Sequence, residues 1–181
     1  TQWGKVRPSW FLQMASAALD SLGAVSVMLA RESQRFPHLD NFSAIWSAGA
    51  DIRPRAWMVI QPVIRREGGV ASLEQALELA GNGTAVRLWL LSSSHLKSLA
   101  CTGESLVMWR RNQHRLQDAF VAATLGDGPG KADPAFNQAL YDVKTAFAAA
   151  LENNLDLAHF WPVLFGFAKI LNGRPPTREE G

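Results

Sequence analysis

The feature that most constrains this chain is a change of hydrophobic rhythm near residue 65. Before it, short apolar runs rich in Val and Ile alternate with stripes at helical spacing; after it, the apolar stripes keep the helical period. Leu12, Ala15, Leu19 and Leu22 recur at helical spacing across residues 11–22, and Gly23 stands where a C-terminal cap belongs. Residues 1–10 read as an extended arm, because Pro8 disfavours the helical region for Arg7. Residues 25–30 read as a buried strand, 38–48 as a second helix, and 57–64 as a second strand whose far end Pro62 confines to an edge or bulge. Helix, strand, helix, strand predicts a small parallel α/β unit.

Past Gly68-Gly69 the signals are those of helix ends. Ser72 and Gln75 have capping-box spacing and open a helix over 73–80, which Gly81-Asn82-Gly83 breaks. Residues 86–91 form a compact apolar helix and 92–101 a polar loop. A long helix follows over 104–125, with Leu106, Trp109, Leu116, Phe120 and Ala123 as its buried stripe. After a Gly/Asp/Pro linker at 126–130, Asp133-Pro134 supplies an N-cap with proline in the first turn. That helix runs through Leu140, Val143, Phe147 and Ala150. Asp156 caps a last helix that ends at Asn172-Gly173, and the tail from Arg174 is polar.

A chain of 181 residues is long enough to bury a core without covalent staples. Cys101 is the lone cysteine, so neither an internal disulfide nor a cysteine-based zinc finger can form, and a reducing, intracellular compartment is expected. No stretch approaches the roughly 20 apolar residues of a spanning helix, so no membrane span is expected. No signal or transit peptide is legible, and a chain that opens on Thr1 reads as a processed or trimmed product. The 18 basic and 16 acidic residues are unevenly spread: residues 1–117 carry 13 basic and 8 acidic, residues 118–181 carry 5 and 8. Arginine forks suit phosphate and carboxylate. Arg65, Arg66, Arg87, Lys97, Arg110, Arg111 and Arg115 are therefore the candidate contacts to RNA or to an acidic protein partner.

The search for chemistry is otherwise negative. His38, His95, His114 and His159 are far apart and show no metal-ligand spacing, and no phosphate-cradling glycine loop exists. Ser92-Ser93-Ser94-His95 holds the residue types of a nucleophile and base, but adjacency in sequence is not geometry. These residues imply no cofactor, no metal and no small-molecule substrate.

Three stretches, in order, nevertheless resemble consecutive segments of cysteinyl-tRNA synthetase, a class I aminoacyl-tRNA synthetase. Trp3-Gly4, Arg7-Pro8 and Trp10 are similar to that family's W-G-x-G-R-P-G-W-H-I-E-C, Phe36-Pro37-His38 to its F-P-H-H-E-N-E, and Trp57-Met58 to the strand start before its KMSKS loop. Arg87-Leu88-Trp89-Leu90-Leu91-Ser92, through Leu99 to Glu104-Ser105-Leu106, aligns without a gap to R-L-F-L-L-S-T-H-Y-R-S-P-L-D-F-S-E-E-S-L. Leu151-Glu152-Asn153-Asn154-Leu155, with Val163-Leu164-Phe165 and 168–172, is similar to the helix pair of the family's anticodon-side bundle.

The resemblance implies an α-rich α/β fold: the remnant half of a Rossmann-type parallel sheet over 1–68, a stem-contact-like segment over 69–101, an antiparallel helical bundle over 102–173 and a flexible tail over 174–181. It also places the family's zinc ligands at Met14, His38 and Phe42, and one imidazole cannot hold zinc tightly. The HIGH motif has no counterpart, and only Arg65-Arg66-Glu67-Gly68-Gly69 bridges the place of the KMSKS loop. These departures lead to the expectation of a pseudoenzyme, a catalytically inactive and N-terminally truncated homologue. It would serve as a structural or interaction subunit of a larger assembly such as a mitochondrial ribosome or respiratory complex. The alternatives are an RNA-binding module that keeps the tRNA-facing surface, and one piece of a split synthetase.

Overall fold

The computed structural model describes residues 8–65, 69–70, 72–125 and 133–173. Arg66, the linker at 126–130 and the tail from Arg174 lie outside the described residues. The chain is an α-rich α/β protein of two compact units, Thr1–Pro62 and Val63–Gly181.

In the first unit, α1 (Pro8–Leu22) starts on the proline that the sequence assigns to an extended arm. The fixed φ of proline suits a first helical turn, where an N–H would have no intrahelical partner. Gly23 follows at φ 71°, the left-handed conformation that ends the helix. β1 (Val27–Arg31) leads through a short 3₁₀ turn and a wider turn into α2 (Asp40–Gly49), and β2 (Ala56–Ile60) closes the unit. The strands run parallel, Val27 opposite Ala56 and Arg31 opposite Ile60. The expected strand–helix–strand unit is therefore present. Phe11 and Ala15 of α1 pack on Phe42 and Trp46 of α2 and, with Met28, form the core. Phe42 and Trp46 stack at 5.6 Å, and the Trp46 indole N–H donates to the Ala15 carbonyl at 3.1 Å. A buried tryptophan is tolerated there because its polar atom is paired.

The apolar run at 57–64, expected as one strand, is two. β2 stops at Ile60, and β3 (Val63–Arg65) begins after Pro62 and pairs in parallel with β4 (Leu99–Cys101) in the second unit. Proline has no N–H for a ladder, so it cuts the run and divides it between two sheets. β4 in turn corrects the expected polar loop at 92–101, whose last three residues find a strand partner distant in sequence.

The remainder of the second unit is helical. α3 (Leu73–Ala80) is capped by the Ser72 hydroxyl, which accepts from the Gln75 N–H at 3.2 Å, and Gly81 ends it at φ 81°. The Asn82 carbonyl oxygen accepts from the Ala85 N–H at 2.9 Å and caps α4 (Gly83–Leu90). α5 (Gly103–Leu125) packs against α3, α4 and α7 (Phe160–Gly173), and α6 (Pro134–Glu152) packs against α7. Asp133 and Asp156 cap the chain where expected. Leu106 is fully buried among Trp89, Trp109 and Trp161, and the Trp161 indole N–H donates to the Leu91 carbonyl at 2.9 Å.

One stripe residue is corrected. Phe120 is 68% exposed, while Gln113 and Ala119 are buried in α5. The face that α5 buries is set by where α7 and α4 press on it, and that line passes one residue to the side of the most apolar reading. No helix of the described residues is long and apolar enough to cross a membrane.

Candidate functional site

The three positions assigned to a lost zinc centre do converge. Met14 from α1, His38 from the turn before α2, and Phe42 from α2 line one cavity of about 250 Å³ in the first unit, with Trp10, Met28 and Gln34. The His38 ring meets the edges of Trp10 and Phe11 at 5.7 and 5.2 Å, and its Nδ1 is buried without a hydrogen-bond partner. Around that imidazole stand a thioether and aromatic rings. Zinc prefers thiolate, imidazole and carboxylate in a tetrahedral set. No three His, Cys, Asp or Glu side chains gather anywhere among the described residues. The donor set at His38 does not fit zinc.

The candidate contact residues fall into three places. Arg110, Arg111 and Arg115 are exposed on α5, and Arg87 is exposed on α4, which packs against it. Lys97 is exposed in the loop that leads to β4, and Arg65 ends β3, paired in register with Cys101. The helical period sets Arg111 and Arg115 on one side of α5 and Arg110 about 100° or more away round the helix. Two of these side chains are positioned by specific contacts. The Arg110 side chain lies across Gly81, where an added Cβ would sit 3.1 Å from its Nε. The Arg115 guanidinium stands 5.0 Å from the centre of the Phe165 ring, a cation–π contact that holds the side chain against α7 while it stays exposed. Arg111 borders a shallow hollow over the first turns of α5, with Glu104 and Met108.

A second cavity, of about 340 Å³, has no counterpart in the sequence reading. It lies between the β3–β4 pair and helices α3 and α4, and its wall includes Arg65, Val70, Ala76, Trp89 and Cys101. Burial pushes the Cys101 thiol above its ordinary pKa, so it stands there as a neutral group. Trp89 is buried with its indole N–H unpartnered. In the sequence it shows only as one more apolar residue of a compact helix.

No family model matches the chain. Curated relatives do, and they agree with one another. A cysteine–tRNA ligase of Chlamydia pneumoniae is 29% identical over 94% of this chain and 38% of its own length. A ligase of the same name from Methanosarcina mazei is 27% identical over 85% of this chain and 35% of its own length, and one from Rubrobacter xylanophilus is 24% identical over 98% and 40%. This chain is cysteinyl-tRNA synthetase-like. It spans little more than a third of the length of these relatives. The expectation of a pseudoenzyme is overturned at this point, because the proteins that the synthetase-like chain resembles are named for an enzymatic activity. Lost motifs in a stretch covering about two fifths of a ligase or less do not establish inactivity. The relatives are archaeal and bacterial proteins, and they lend no support to a mitochondrial home.

Proposed function

We propose that this synthetase-like chain works as an interacting component of a larger tRNA-ligase-type assembly. One observation carries the reading: one face of the parallel pair β1–β2 leaves apolar side chains exposed. In a parallel ladder, residues in register share a face, so Val27, Leu29 and Arg31 lie with Ala56 and the half-buried Met58 and Ile60, opposite the side that carries Met28 and Ala30 into the core. Val27 is 53% and Leu29 61% exposed. Parallel sheets are ordinarily covered on both faces, and an uncovered apolar strand pair invites pairing or docking. A polypeptide that covers this face would complete the layer. By resemblance, 1–68 corresponds to the second half of a Rossmann-type catalytic domain, 69–101 to a stem-contact region and 102–173 to an antiparallel helical bundle.

A second reading concerns RNA and rests on a different observation. Arg87, Arg110, Arg111 and Arg115 are exposed on adjacent helices, and none forms an ion pair among the described residues. Such a surface suits a phosphate backbone, with affinity that falls steeply as salt rises.

The test is the state of the protein at native abundance. A tagged chain sedimenting with a larger complex, and released from it by Leu29→Lys, supports the reading. A free monomer whose behaviour Leu29→Lys leaves unchanged refutes it. Cysteine-dependent ATP–pyrophosphate exchange by the isolated complex would identify it as a ligase. Salt-sensitive tRNA binding weakened by Arg110→Glu with Arg111→Glu supports the RNA reading, and no affinity at low salt removes it.

A further inference from the structure

The open cavity of about 340 Å³ in the second unit is lined by groups whose chemistry points to a ligand. Its volume falls within the roughly 300–1,000 Å³ typical of small-molecule sites, and is about twice the cavity of about 150 Å³ that holds benzene. The wall is mainly apolar: Val70, Ala76 and Trp89 belong to the core, and Leu73 stands at the rim, 63% exposed. Among the described residues that line it, Arg65 is the one charged side chain and no carboxylate is present. The register of β3 and β4 explains how it arrives there. Arg65 pairs with Cys101, so both side chains leave the same face of the sheet, toward α3 and α4.

The guanidinium offers donors and a positive charge, and the Ser72 hydroxyl on the same wall already accepts from the Gln75 N–H at 3.2 Å. Cys101 adds no negative charge, since burial keeps its thiol protonated. A single guanidinium fork matches one carboxylate in bidentate geometry. A phosphate dianion would need further donors, and the apolar wall would pair poorly with it.

We propose that this cavity binds a small organic carboxylate with an apolar ring or chain, its carboxylate on Arg65 and its apolar body between α3 and α4. The site is independent of the assembly reading, and each can fail without the other.

The experiment uses the full chain and three probes: 3-phenylpropionate, the neutral 3-phenylpropanol and inorganic phosphate, followed by equilibrium dialysis and amide NMR shifts. The acid is expected to bind saturably at one site, at least tenfold more tightly than the alcohol, and phosphate is expected not to displace it. Arg65→Gln, an exposed substitution that leaves the core intact, should abolish the tenfold preference while alcohol binding stays the same. Bound acid should slow alkylation of Cys101 by iodoacetamide severalfold in the wild type. Absence of saturable binding, equal affinity for acid and alcohol, displacement by phosphate, or an acid affinity unchanged in Arg65→Gln would each overturn the proposal.

Discussion

Gly81 offers a direct measure of how the backbone turn between α3 and α4 places Arg110. Two costs are legible in Gly81→Ala. The residue sits at φ 81°, in the left-handed region where a Cβ crowds the carbonyl, a penalty of about 1–2 kcal/mol for an L-residue. The new methyl would also lie 3.1 Å from Nε and 3.3 Å from Cζ of Arg110. Those atoms are the far end of a flexible side chain, so the contact is relieved by swinging Arg110 away rather than by moving the core. The stability loss should therefore stay close to the backbone term. In urea, with a slope of about 2 kcal/mol per M for a unit of this size, the unfolding midpoint falls by about 0.5–1 M. Tryptophan fluorescence reports it, because Trp89, Trp109 and Trp161 all lie in the core of this unit. Gly83→Ala is the control: nothing lies within 4 Å of a Cβ there and its backbone is ordinary helix, so the midpoint should hardly move. Repeating Gly81→Ala in an Arg110→Ala background separates the terms, since only the backbone cost survives. Equal midpoints for Gly81→Ala and Gly83→Ala would refute the left-handed geometry. A loss that vanished in the Arg110→Ala background would show that the contact, not the backbone, carries the cost.

Two further outcomes follow from burial. Leu106→Ala removes a large side chain that is fully enclosed, and should destabilise the second unit by about 2–5 kcal/mol in the same urea experiment; a loss below about 1 kcal/mol would contradict the packing around Trp109 and Trp161. Cys101 has a thiol pKa raised by burial, so its contribution to stability is fully present below the ordinary thiol pKa and is lost as pH climbs through the folded value. Its alkylation by iodoacetamide should accordingly be slower in the folded protein than in urea at pH 8, and equal rates would show an accessible, unperturbed thiol.

The local grammar of the chain was readable from its residues. Ser72, Asp133 and Asp156 each cap a helical segment through a bond spanning two or three residues, and such bonds need nothing from the rest of the fold; Asn82, legible only as part of a helix break, caps α4 in the same way. The glycines at 23 and 81 end helices because they tolerate positive φ, again a local property. The helix–strand alternation of the first 60 residues was likewise enough to predict the parallel pair. Pro62 marks an edge, but a missing N–H shows where a ladder must stop, not that Val63 pairs with Leu99 far downstream.

The sequence by itself determined the α-rich α/β class, the helix ends and the likeness to cysteine–tRNA ligases, because these rest on local bonding, hydrophobic period and residue order. Only the tertiary structure decided which sides of those elements meet. Met14, His38 and Phe42 stand on three separate segments, and the packing of α1 on α2 gathers them into an apolar cavity unsuited to zinc. Among the described residues, Arg65 becomes the one charge on a second cavity because β3 pairs with β4, and α5 buries Gln113 rather than Phe120. Burial is a property of neighbours far apart in the chain, and a periodic stripe shows that a helix has an inner face without saying what that face will touch.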